Sequence, residues 1–145
     1  MRHFVYPHIH PVTGEKTGRV GMLTILDESQ MDRVPEGGKE VGSEPVEDDK
    51  DGVYFDAWEL GDDGKVSVNV EKAKEIRMEW LRKRRDNFLL HLDNVQFRYY
   101  CSKDQEKMDS LEEEKQRLRD FPEKINWEVI HTLHDVKHIL PPALI

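Results

Sequence analysis

Cysteine is nearly missing from this chain: Cys101 is the only one in 145 residues. That rules out an internal disulfide and a cysteine-rich metal site. A lone cysteine beside Tyr99 and Tyr100 is expected to be packed rather than reactive. Long apolar runs are missing too. Nothing approaches 18 consecutive apolar residues, so no membrane span is expected. The opening MRHFVYPHIH lacks the apolar centre of an export signal, so the chain is expected to be made in a cytoplasm. Cationic excess is absent: 22 Lys and Arg stand against 30 Asp and Glu, a net charge of −8. Nucleic acid is therefore not expected as the main partner, because binding phosphates requires a basic surface. Apolar mass is short as well, 37% of residues against 36% charged. A self-contained globule of this size normally carries more, so the deficit points to elongation, with apolar surface buried against other chains. Finally, there is no glycine-rich phosphate loop, no serine in a nucleophile elbow and no catalytic dyad. The expectation is a non-enzymatic protein without a cofactor.

What the chain does have is a long stretch free of glycine and proline. Residues 70–100, VEKAKEIRMEWLRKRRDNFLLHLDNVQFRYY, contain nothing that forces a break. At about 1.5 Å per residue they predict a helix of roughly 45 Å. Asn69 stands just before it as an N-cap. Leu81, Phe88 and Val95 recur every seven residues, with Met78, Leu92 and Tyr99 filling the partner positions, which is an apolar seam. Ser102 and Gln105 then read as a capping box for a second helix. Met108, Leu111 and Leu118 continue it to Phe121, and Pro122 ends it. Two facing stripes with a short junction near Ser102 predict a helical hairpin, or one bent helix.

The N-terminal part reads as β-structure. Two apolar runs, 3–6 and 20–26, flank a turn at Thr13-Gly14-Glu15. Residues 27–52 are dominated by glycine and acid, and are expected to be a loop or tether held by something outside the chain. Alternation resumes over 53–60. Gly61-Asp62-Asp63-Gly64 is a turn, and 65–68 returns as a strand. Beyond Pro122, Thr132 with Asp135 predicts a capped helix over 133–140, stopped by Pro141-Pro142. The fold class is thus α+β: a β-rich region over 1–68, then a helical hairpin and short helix over 69–145.

Candidate chemistry is sparse. His131, His134 and His138, with His8 and His10, have the residue type of a zinc site. They lack the accompanying carboxylate spacing, so surface histidines are the stronger reading and no metal is expected. Trp58, Trp80 and Trp127 are expected to be core or interface anchors. Arg82, Lys83, Arg84 and Arg85 make the middle of the long helix basic and are expected to meet acidic segments such as 44–51 or 112–114. Trp80, Arg82, Arg84, Arg85, Phe97, Tyr99 and Tyr100 are therefore the candidate partner-binding residues, because exposed aromatics beside arginines mark contacts.

One resemblance goes further. GKVSVNVEKAKEIRMEWLRKRRDNFLLHLD, a polar helix ending KQRLRDFPEKI and an HDVKHILPPAL tail resemble the phage tail assembly chaperone-like module, found among phage tail genes and at the ends of tail-fibre-associated proteins. The matching positions are Lys74, Ile76, Arg84, Arg85, Asp86, Leu89, Leu90 and Asp93, then Gln116, Leu118, Arg119, Asp120 and Pro122. After Asp93 the aromatic run Phe97-Arg98-Tyr99-Tyr100 stands where the module carries a Trp-containing linker. The resemblance implies a structural component of a bacteriophage tail, at the baseplate, tail tip or fibre attachment. Its alternative is a tail-fibre assembly chaperone. The implied partners are other tail proteins and further copies of the chain, and the implied location is the virion.

Overall fold

The structure, a computed structural model, describes residues 1–139. They divide into two compact units, Met1–Ala73 and Lys74–Ile145. The division falls within the first turn of the long helix, slightly later than the expected boundary at 68/69.

In the first unit, β1 (Arg2–Ile9) and β2 (Lys16–Ile25) form an antiparallel hairpin. Its loop closes through His10 N–H donating to the Glu15 carbonyl at 2.8 Å. Gly14 there has φ +71°, a conformation costly for any residue with a Cβ. β3 (Lys39–Val41) pairs with the other edge of β1, giving the order β2-β1-β3. β4 (Trp58–Leu60) and β5 (Val66–Val68) form a second, two-stranded sheet. Val5, Val20, Val46 and Trp58 are buried together, flanked by Val41, Phe55, Leu60, Val66 and Val68.

Two expectations are corrected here. Residues 27–52 are not a bare tether. Asp27 caps a 3-10 turn over Glu28–Arg33 by accepting from Ser29 N–H. Arg2 binds Glu40 through two bonds, at 2.8 and 2.9 Å, and reaches Glu28 at 3.0 Å. This pairing raises the Arg2 pKa and lowers that of Glu40. Asp49 is buried at 2% exposure, and one carboxylate oxygen accepts from Tyr54 N–H and from Trp58 Nε1–H, both at 2.9 Å. The segment's average composition concealed a few residues that anchor it from within. Residues 53–60 are also not one strand: Phe55–Ala57 is a 3-10 turn, because Asp49 claims the Tyr54 amide and Ala57 N–H donates to the Tyr54 carbonyl.

α1 (Val70–Ser102) opens with Asn69 accepting from Lys72 N–H at 3.2 Å. Its end differs from the expected Ser102 cap. Lys103 takes φ +57°, its amide donates to the Tyr100 carbonyl, and the Asp104 amide donates to that of Tyr99. This is a Schellman ending with lysine in the place glycine usually holds. Asp104, not Ser102, caps α2 (Gln105–Asp120) by accepting from Lys107 N–H, while the Ser102 hydroxyl donates back to Tyr99. The chain therefore breaks into a hairpin rather than bending. The antiparallel sense is read from cross-helix pairs at 93/115 and 96/112. Phe121–Lys124, with Pro122, follows as a 3-10 turn. α3 (Leu133–Lys137) carries the expected capping box of Thr132 and Asp135. It ends before residue 140; Leu140 and the Pro141-Pro142 stop lie outside the described residues. Among the described residues no helix is long and apolar enough to cross a membrane.

Candidate functional site

The hairpin is built around α2's narrow apolar stripe. Leu111, Lys115 and Leu118 follow at helical spacing; Leu118 is fully buried and Lys115 is only 6% exposed. A buried ammonium must be compensated, and Lys115 reaches Asp93 at 2.5 Å, Gln96 at 2.9 Å and Glu112 at 3.7 Å. Gln96 donates to Glu112, which also accepts from Arg119 at 3.0 Å. The Arg119 bond, seconded by Gln96, holds Glu112 below the usual carboxylate range. Leu92 and Tyr99 of α1 share one depression with Leu111 of α2, and Lys107 lies over the Tyr99 ring at 5.5 Å.

The seven candidate contact residues do not form one site. Trp80 is partly exposed, with the Arg77 guanidinium 4.2 Å and that of Arg84 5.2 Å from its ring centre. Arg84 also stands 5.8 Å from Phe88. Phe97 and Tyr100 are exposed and line a shallow depression with Asp93, Gln96 and Met108. Tyr99 turns into the hairpin and is half-buried. Arg82 is exposed, and Arg85 binds its neighbour Asp86 at 2.9 Å. The expected pairing of this basic run with 112–114 is not seen. Glu112 is held by Arg119 and Lys115, and Glu114 by Arg117. Lys83 pairs instead with Glu79 one turn away, at 3.0 Å. The reason is proximity: partners on the same helix or in α2 itself are closer.

The tryptophans separate as well. Trp58 is core, Trp127 half-buried and Trp80 superficial. Cys101, expected to be packed, is exposed. Among the described residues no three His, Cys, Asp or Glu are placed to hold a metal ion. The histidine rings serve local bonds: His10 accepts from Val12 and Thr13 amides, His8 pairs with the Thr17 hydroxyl, and His138 bonds the His134 carbonyl.

Sequence reasoning missed two residues. Leu90 was read only as a match within a motif, yet it is 63% exposed and belongs to the surface with Phe97. Lys115 was hidden in a charged run, although its place between Leu111 and Leu118 marks it as inward-facing. The fold and surface together define an α+β protein with large accessible apolar groups on α1, among them Leu90, Phe97 and Tyr100. Compared with family models, with characterised proteins and with solved structures, the chain matches none.

Proposed function

We propose that the chain is a non-enzymatic structural component of a bacteriophage tail, at the baseplate, tail tip or fibre attachment, working through protein contacts made by α1. The observation that carries the contact reading is the exposure of Leu90, Phe97 and Tyr100, each above 60%, on a helix whose other side is covered. Large apolar groups left bare in a row mark surfaces that meet another protein. The tail assignment rests on the resemblance of the hairpin's sequence to the tail module. Its matching positions have structural work: Asp93 holds Lys115, Leu118 fills the core, Arg119 holds Glu112, and Asp120 accepts from Gln116. Such residues would keep a hairpin upright while its outer surface varies with the partner.

A fibre-assembly chaperone would use the same bare face and then leave. Mass spectrometry of purified particles separates the two. A structural part is expected in particles in fixed ratio to the other tail proteins. Its presence only in lysate would replace the structural reading with the chaperone one.

A further inference from the structure

α1 carries a second seam on the side away from α2. Taking Trp80, Asn87, Asn94 and Cys101 as a positions of a heptad, the d positions are Lys83, Leu90 and Phe97. All seven are exposed. The buried positions of α1, such as Leu81 and Leu92, fall at b and f, the far side of the same heptad. Two seams on one helix explain why its apolar residues are not confined to a single stripe.

The flanking charges say what covers the outer seam. Three successive g positions, Glu79, Asp86 and Asp93, are acidic, with Tyr100 as the fourth; the e positions that follow them are Arg84, His91 and Arg98, two arginines and a histidine. In a parallel pair each g residue faces the e residue of the next heptad across the seam. That matches Glu79 with Arg84, Asp86 with His91 and Asp93 with Arg98 of a second copy. An antiparallel pair would set acid against acid and base against base. The a positions agree: each Asn amide carries both donor and acceptor and can bond to its own equivalent in register, while a shifted register strands it.

We infer that two copies of this chain pair through α1 as a parallel, in-register coiled coil over residues 76–101. This deepens the contact reading above and is independent of the tail assignment. Lys83 and two asparagines in a seam of fewer than four heptads keep the pairing weak, on the order of micromolar. Asp93 is shared with Lys115 inside the chain, but its side chain remains 55% exposed and has a second oxygen to offer.

The test uses the whole chain. Sedimentation should show a monomer–dimer equilibrium, and Phe97→Glu should raise its dissociation constant at least ~10-fold, since it places two carboxylates at one d layer. Mild oxidation should link the dimer through Cys101, because the sulfurs come within disulfide reach, with Cα atoms closer than about 7 Å, only when the helices are parallel and in register. Cys101→Ser should abolish the link. Glu79→Arg should weaken pairing and Glu79→Arg with Arg84→Glu should restore it. A monomer at every concentration, a trimer, a dimer indifferent to Phe97→Glu, or a dimer that Cys101 cannot link each overturns the proposal. A chain that stays monomeric yet binds a different protein through Phe97 would overturn self-pairing and leave the contact reading standing.

Discussion

The two sides of α1 carry similar apolar residues and treat them differently. On the inner side Leu81 and Leu92 are buried and Tyr99 is half-covered; on the outer side Leu90, Phe97 and Tyr100 are more than 60% exposed. Both sides are written in the same alphabet of leucine and aromatic residues at sevenfold spacing. What separates them is the partner. α2 is a single narrow stripe on a highly charged helix, so it covers one side of α1 and no more. An apolar seam in a sequence therefore shows that something is to be covered, while the supply of covering elements decides whether the chain does it alone.

Substitutions that act on one side only would break or sharpen that contrast. The largest expected effect is on the inner side. Leu118→Ala removes a fully buried side chain and should cost about 2–5 kcal/mol. Phe97→Ala, of similar apolar size, should change the stability of the dilute monomer by less than about 0.5 kcal/mol. Urea unfolding of both variants checks this, and equal losses would erase the distinction between the sides.

Next is the hydrogen-bonded clamp. Lys115→Ala removes the bonds to Asp93 and Gln96 and should cost about 1.5–3 kcal/mol, at the lower end because Asp93 is half-exposed and regains water. Unchanged denaturant stability would show that the ammonium adds nothing to the hairpin. Lys103→Gly should move stability the other way. The residue holds φ +57°, and relieving a side chain there, less the added freedom of the unfolded chain, should gain about 0.5–1 kcal/mol. A lower melting temperature would mean that the lysine side chain contributes at the junction.

The smallest effect is in acid. Backbone bonds from His131 and Thr132 hold the Asp135 carboxyl below its usual 3.8. Because the folded pKa is lowered, the stabilisation is present above that value and is lost as pH falls through the folded one. Acid unfolding of Asp135→Asn should therefore be less pH-dependent in that window than the parent's. Identical slopes would show that the capping box does not titrate with folding.

Much of this was legible from pattern. The absence of glycine and proline over residues 70–100, Asn69, and Thr132 with Asp135 marked helix starts whose bonds the structure contains, and the Gly14 and Gly64 turns fall where glycine was required. What escaped notice depended on single bonds and single backbone conformations. Asp49 orders an acidic segment through Trp58, and no local average signals that. Lys103 ends a helix in a conformation that sequence rules assign to glycine or asparagine. Of the contact residues, exposure was foreseen for Phe97 and Tyr100. Tyr99, two residues after Phe97 and one before Tyr100, turned inward because it lies on the Leu92 side.

Thermal unfolding as a function of protein concentration tests the central claim most directly, namely that the outer side of α1 waits for a second copy. Association of folded chains makes the melting temperature depend on concentration. Across a hundredfold range, the account predicts a midpoint that rises with concentration for the natural sequence and stays flat for Phe97→Glu. A natural chain whose midpoint does not move, at concentrations up to well above micromolar, would contradict it.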